Sequence, residues 1–335
     1  MLMKAMVLDR PTDVGAGPLT LREMALPEPG PGEVRVHLQV CGVCRTDLHI
    51  VEGELPLPKL PLIPGHEAVG VIDAVGREVR GVREGDRVGV AWLQKTCGRC
   101  SFCTSGRENL CAAAAFTGYH RDGGYAESLV VPAAFAYPIP PAFTNEEAAP
   151  LLCAGIIGYR ALRRSEVRPG QRLGLYGFGA SAHITIQIAR HWGCEVYVCS
   201  LREEHRRLAR ELGAVWVGTA AEAPPEKLHS AILFAPAGEL VAPALRALDK
   251  GGTLALAGIH MTPIPQLDYD RELFGERTIR SVTANTRQDG LDLLREAAAI
   301  PIRPRTRRFR LEDANRALQA LKAGTIQGAG VLSLQ

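Results

Sequence analysis

The sequence has almost no surplus of one charge. Its 335 residues carry 39 Lys+Arg against 36 Asp+Glu, a formal +3 at pH 7 with histidine neutral. With no concentrated basic block apparent, so small an excess supplies no nucleic-acid footprint. A long apolar run is also missing: the stretch Leu129 to Phe143 is broken by Pro132, Pro138, Pro140 and Pro141, well short of the about 20 residues a membrane helix needs. The first ten residues hold neither an extended apolar segment nor a small-residue cleavage site, so a reducing cytoplasm is the expected location. Internal repeats and low-complexity segments are absent too. What remains is 46% hydrophobic and 22% charged, with 35 Gly and 23 Pro spread through the chain. That composition excludes disorder, collagen and coiled coil, and the length suits two domains.

Nine cysteines stand out in such a compartment, because cytosolic thiols serve metals or catalysis more often than disulfides. Four form Cys97-x2-Cys100-x2-Cys103-x7-Cys111 in a loop-like run without periodicity. Four soft thiolates at this spacing close a tetrahedron around zinc unaided, a structural site with no open position; an iron–sulfur cluster is the alternative. Lys95, Arg99, Arg107 and loop N–H groups are placed to offset the charge. A second set is scattered: Cys44 in CGVCRTDLH, His66 in PGHE and Cys153 in PLLCAG. Each alone reads as a packed residue, but together they are the Cys2His ligand type of a catalytic zinc. Cys41, Cys194 and Cys199 lie in apolar strand-like contexts.

Residues 4 to about 131 read as short alternating strands between Gly/Pro turns, a β-rich, barrel-like domain. After Pro150 apolar strands alternate with helices predicted at Ala182–Trp192, Glu203–Leu212 and Glu239–Asp249, the pattern of a doubly wound parallel sheet and so an α/β class. The C-terminal helix LEDANRALQALKAG and strand AGVLSL are predicted to rejoin the first domain. At the first crossover stands Gly177-Phe178-Gly179-Ala180-Ser181-Ala182. It follows a strand and opens a helix, the context required of a dinucleotide-binding turn. At the end of the next strand an NAD site usually places an acid; here Ser200 and Arg202 stand there, favouring NADP with NAD as the alternative.

GVCRTDLH, GHE, the four-cysteine lobe and the late GFGASA turn, in that order, resemble the zinc-dependent medium-chain alcohol dehydrogenases over essentially the whole chain. The resemblance implies a GroES-like catalytic domain at 1–148 and 287–335, with a zinc lobe near 95–112, around a Rossmann domain at 149–286. It implies two zinc ions per chain, with Cys44, His66 and Cys153 on the catalytic one and Cys97, Cys100, Cys103 and Cys111 on the structural one. By the same likeness Glu67 approaches the metal during ligand exchange, Asp47 backs the zinc-bound histidine, and Thr46 and His49 relay the proton. Arg45 faces the pyrophosphate, and the backbone at Gly258 and Ile259 holds the carboxamide. Ile157 replaces a frequent threonine, and the tail Gln327 to Gly330 lacks a frequent pyrophosphate arginine. The implied activity interconverts primary alcohols and aldehydes by hydride transfer to or from NADP(H) or NAD(H).

Three rival readings are opposed by the sequence. A zinc-free quinone or enone reductase on the same scaffold is opposed by the two cysteine sets. A nucleic-acid-binding zinc ribbon is opposed by the charge and the dinucleotide turn. A sugar or polyol dehydrogenase is opposed by the apolar pocket candidates Leu48, Trp92, Leu93 and Leu110. Small-molecule alcohols or aldehydes are the expected partners, with no nucleic acid and no membrane. TIRSVTA reads as the last strand of an open sheet, an edge that a homodimer or homotetramer covers.

Overall fold

The computed structural model describes residues 1–300 and 302–334. Its strands in chain order are β1 (Leu2–Leu8), β2 (Leu19–Ala25), β3 (Glu33–Val43), β4 (Ala68–Val75), β5 (Arg87–Val90), β6 (Leu93–Lys95), β7 (Ala115–Phe116), β8 (Ser128–Pro132), β9 (Ala136–Pro138), β10 (Arg172–Tyr176), β11 (Glu195–Cys199), β12 (Trp216–Gly218), β13 (Leu228–Leu233), β14 (Leu248–Leu256), β15 (Thr278–Ser281), β16 (Thr306–Arg310) and β17 (Ala329–Ser333). The helices are α1 (Arg45–Glu52), α2 (Ser101–Thr104), α3 (Asn145–Pro150), α4 (Ile156–Ser165), α5 (Ala180–His191), α6 (Glu203–Glu211), α7 (Val241–Ala247), α8 (Arg287–Ala299) and α9 (Ala314–Lys322). Among the described residues no helix is long and apolar enough to cross a membrane.

The chain divides into two compact units. The first comprises Met1–Cys153, Asn285–Ala298 and the stretch from Arg303 onward; the second comprises Ala154–Ala284 with Ala299–Ile302. The division falls after Cys153 and after Ala284, a few residues from the expected 148/149 and 286/287, and it leaves Cys153 in the first unit.

In the first unit an antiparallel sheet runs β17-β3-β4-β5-β9, with β16 added parallel to β17 and β8 pairing the first half of β3. Alternation puts Val34, Val36 and Leu38 of β3 into the core. The core also takes Leu311, Ala314, Ala317 and Leu318 from the C-terminal helix region. The chain end therefore does rejoin the first unit, with β17 antiparallel to β3. One sequence reading is corrected here, for a basic run does exist: Arg303, Arg305, Arg307, Arg308 and Arg310 lie on or beside edge strand β16. The fold spreads them among acids: Arg303 faces Glu147 at 3.8 Å, Arg308 faces Glu146 at 3.9 Å, and Arg310 bonds Asp313 at 3.1 Å.

The second unit is a parallel sheet in the order β12-β11-β10-β13-β14-β15. The chain winds outward from β10 to β12, then returns to the other side at β13. The switch point lies at the carboxyl end of β10, where such sheets bind ligands. The helix expected at Glu239–Asp249 is shortened to α7, because Leu248 already pairs with Leu228 to begin β14.

Candidate active site

Antiparallel pairing builds the first half of the site. In the register of β3 and β4, Cys41 stands opposite Ala68. Cys44, just past the end of β3, is thereby brought to His66 and Glu67, just before β4. Cys153 arrives from another direction. Helix α3 opens with a capping box, Thr144 and Glu147 each bonding the other's backbone N–H. It then passes into a π-helical turn, Leu151–Gly155, that carries Cys153; such wide turns recur at functional sites.

One ligand atom from each of Cys44, His66, Glu67 and Cys153 lies within 4.8 Å of the others. The two sulfurs are 3.7 Å apart and His66 Nε2 is 3.3 Å from Cys153 Sγ. Zinc–sulfur bonds of about 2.3 Å give tetrahedral S···S edges of about 3.8 Å, so the donors already have the spacing of a zinc shell. His66 Nδ1 is tied to Asp47 Oδ1 at 2.8 Å; it donates there, which turns the Nε2 lone pair toward the thiols. Asp47 also accepts from Cys44 N at 2.9 Å, at the start of α1.

The electrostatics couple the four donors closely. The bond from Cys153 pulls the Cys44 thiol far below its ordinary range, and the same contact, with burial, lifts Cys153 above it. Burial, then the Cys44 charge, pushes Glu67 up. Burial opposes a charged His66, but Asp47 and then Cys44 outweigh it and raise its pKa. A divalent ion held by these residues would offset the buried negative charge.

The second cluster is built locally. Cys97, Cys100, Cys103 and Cys111 place their sulfurs within 4.8 Å of one another, on a loop whose base is closed by β6 pairing with β7. Backbone N–H groups of Arg99 and Cys100 lower Cys97 to about 6. Although the Cys103 N–H opposes it, burial and the neighbouring thiols push Cys100 up to about 11. The expected help from Arg107 takes another form: its guanidinium lies over the Phe102 ring at 5.3 Å and bonds Ser105. None of the nine cysteines is in a disulfide.

In the second unit Gly177, at the end of β10, has φ +90°, and a Cβ there would meet Ala235 N at 2.9 Å. Gly179 caps α5, is exposed, and leaves open space where a Cβ would stand. Ala180 and Ser181 are half-buried beside it, while Phe178 and Ala182 are buried. The turn thus leaves a cradle at a helix N-terminus, where a pyrophosphate fits. Ser200 ends β11, with Oγ 3.4 Å from His205 Nδ1. Arg202 caps α6 on the surface. Gly258 and the exposed Ile259 follow β14.

The profile of the alcohol dehydrogenase GroES-like domain matches residues 30–141, and that of the zinc-binding dehydrogenases matches 182–299. A probable alcohol dehydrogenase, AdhA, from Mycobacterium tuberculosis is 52% identical over 98% of this chain and 97% of its own. An alcohol dehydrogenase of Geobacillus stearothermophilus is 37% identical over 95% and 96%. Among solved structures, the cobalt- and zinc-bound thermostable alcohol dehydrogenase of Pyrobaculum aerophilum superposes with a TM-score of 0.90 at 28% identity, over 99% of this chain and 100% of that one. The chain belongs to the zinc-dependent medium-chain alcohol dehydrogenase family. The fold is the family's GroES-like domain with a Rossmann-type domain, and the activity is alcohol oxidoreduction.

For an alcohol dehydrogenase, the sequence located the metal-set residues but misjudged some of their surroundings. Leu48 and Leu93, read as pocket candidates, are buried in the core. Leu110 is exposed. Trp92 alone among those candidates meets the metal set, edge-on to His66 with centroids 5.0 Å apart. It stacks on Phe116 at 4.9 Å and touches Tyr119 at 5.8 Å. Those two aromatics and Tyr125 behind Asp47 act across a distance in sequence that no local motif spans; Glu54 against His49 and His205 behind Ser200 lie only five residues away, and there it is the side-chain orientation that spacing does not give.

Proposed function

We propose that the protein interconverts primary alcohols and aldehydes with NADP(H), using a catalytic zinc held by Cys44, His66 and Cys153 and a structural zinc held by Cys97, Cys100, Cys103 and Cys111. The observation that carries this reading is the donor set with sulfur and nitrogen spacings of a tetrahedral shell and a buried carboxylate behind its histidine. Two thiolates and one neutral imidazole balance the charge of Zn(II) and leave a fourth position. When bound, the metal supplies a Lewis acid that acidifies the substrate hydroxyl, and the nicotinamide takes or returns the hydride.

The chain's own residues supply the rest. Asp47 fixes the His66 tautomer, and Glu67 stands ready to enter the shell as a further oxygen donor. Thr46, whose Oγ1 is 3.9 Å from Cys44 Sγ, and His49 sit three residues apart on α1 and so share a face. Thr46 is buried and His49 half-buried, the gradient a proton needs to pass from site to solvent. Glu54 holds His49 Nδ1 and so orients the imidazole of the relay. Arg45, exposed at the start of the same helix, supplies a cation for the pyrophosphate.

NADP(H) is favoured because no carboxylate stands at Ser200 and cationic Arg202 caps the following helix. The half-buried His205 is held below its usual pKa by burial and then by Arg202, which marks a cationic neighbourhood. The Trp92–Phe116–Tyr119 wall favours apolar and aromatic alcohols over polyols. A sorghum cinnamyl alcohol dehydrogenase with the same fold, at 26% identity, supports that choice. Edge strand β15 supports a symmetric dimer paired along it. Elemental analysis, with a panel of aromatic, aliphatic and polyol substrates against both cofactors, tests the whole reading. Two zincs per chain and fastest turnover of apolar primary alcohols with NADP are expected. Full activity without zinc, or a polyol preference, overturns it.

A further inference from the structure

We propose that Tyr125 is a positioning residue for the Cys44–His66–Cys153 set, acting through Asp47. The inference rests on reading that set as a zinc site.

Four donors converge on the buried Asp47 carboxylate. Oδ1 accepts from His66 Nδ1 at 2.8 Å and from Gly65 N at 3.2 Å; Oδ2 accepts from Cys44 N at 2.9 Å and from Tyr125 Oη at 3.2 Å. These fill the approximately four acceptor sites a carboxylate has. Three of the donors lie in the ligand segments themselves. The fourth comes from a distant strand-and-turn segment and locks the orientation the others share.

Tyr125 is itself firmly held. Its backbone N donates to Pro64 O at 2.9 Å and its carbonyl accepts from Met6 N at 2.8 Å. Its fully buried ring lies so close to Gly65 that a Cβ there would come within 2.4 Å of Cδ1, at a φ of +97°. Burial, then the Asp47 charge, keeps the hydroxyl protonated by raising its pKa well above the ordinary range. A fixed ring thus delivers a permanent donor to Asp47. Asp47 in turn holds the backbone of Cys44 and the ring of His66 in place before a metal arrives. Without the hydroxyl, a lone pair on a buried carboxylate loses its donor and the carboxylate plane is freer to turn.

Partners of this kind typically change metal affinity by about 10- to 100-fold. Acting one bond further out, Tyr125→Phe should speed release of the Cys44–His66–Cys153 zinc to a chelator by about tenfold. Release from the four-cysteine lobe should stay at the wild-type rate. Cobalt loaded into the same set should show a shifted absorption band in Tyr125→Phe. In an Asp47→Asn background Tyr125→Phe should add nothing, whereas mere packing would leave the two effects additive. Should the phenylalanine variant not fold, 3-fluorotyrosine placed at 125, a stronger donor on the same ring, should slow release from this set alone. Unchanged release, equal acceleration at both metal sites, or additivity with Asp47→Asn overturns the proposal. Metal content that is the same in wild type and Cys44→Ser overturns the zinc reading beneath it, and so separates the two failures.

Discussion

The two clusters of metal-ligating side chains use the same sulfur chemistry in opposite ways. The four-cysteine set lies within one loop, with three thiols half-buried and Cys111 buried, and lowers Cys97 through backbone N–H groups of its own turn. The Cys44–His66–Glu67–Cys153 set draws on three separate segments, with His66 and Glu67 buried and both thiols half-buried, and is organised by the Asp47 carboxylate. A local, all-thiolate set closes its own shell and can only hold structure. A distributed set with mixed donors has its fourth position defined by the surrounding fold, and it is there that a substrate can be admitted.

The sharpest way to break this contrast is to remove one ligand from each. Cys44→Ser or Cys153→Ser should reduce turnover to background while leaving a folded protein that binds cofactor, as read by circular dichroism and dinucleotide fluorescence. Cys100→Ser or Cys103→Ser should act on stability instead, because structural zinc contributes about 10–16 kcal/mol that is coupled to local folding. Thermal unfolding should drop by many degrees in those variants and hardly move in Cys44→Ser. If the two sets gave the same pattern, the division into catalytic and structural roles would fail.

A second test takes the contrast to the cofactor, where recognition is again local. Arg202→Ala should lower kcat/KM with NADPH by roughly 10- to 150-fold, equivalent to about 1.5–3 kcal/mol for a charge-assisted pair, and change the NADH value little. Ser200→Asp should move preference toward NADH by adding an acceptor and a repulsive charge. A wild-type ratio already favouring NADH contradicts the reading of the missing acid.

His49→Gln probes the exit of the distributed site. Alcohol oxidation should fall by roughly 10²-fold or less, most strongly below neutral pH; a mutant pH–rate profile superposable on that of the wild type removes the relay. The smallest effect concerns zinc uptake by the apo lobe. Cys97, lowered to about 6, is largely thiolate at pH 7, whereas Cys100, pushed up to about 11, must lose a proton to bind. Its bound proton competes with the metal at every pH below 11. Affinity should therefore rise with pH, about tenfold per unit for each proton displaced, and proton release measured in weakly buffered titrations checks it.

Much of this was legible in the sequence, and the legible part has a common property. The Cys97–Cys111 run and the glycine turn after β10 are each confined to a short stretch of the chain. Local backbone geometry and residue type there decide the outcome with little help from the rest of the chain. The strand and helix alternation that separates the two units is likewise a property of short windows. Leu48 and Leu93 were misplaced because an apolar residue beside a site looks the same whether it lines a cavity or fills the core. The helix expected at Glu239–Asp249 ends early because pairing of Leu248 with Leu228 overrides local helix preference. The arginines around β16 escaped notice because a balanced total charge hides a local run.

The sequence by itself determined the donor types, the compact thiolate lobe, the glycine turn at the head of α5 and the order of the two domains, since all of these depend on spacing along the chain. Only the tertiary structure decided which residues meet. The β3–β4 register sets Cys44 beside His66, the π turn delivers Cys153, the Trp92–Phe116 stack stands against His66, and Tyr125 completes the ring of donors on Asp47. Strand register and core packing are set by the sum of many side chains across the whole unit. A contact between residues far apart in sequence is therefore fixed only once that sum is satisfied.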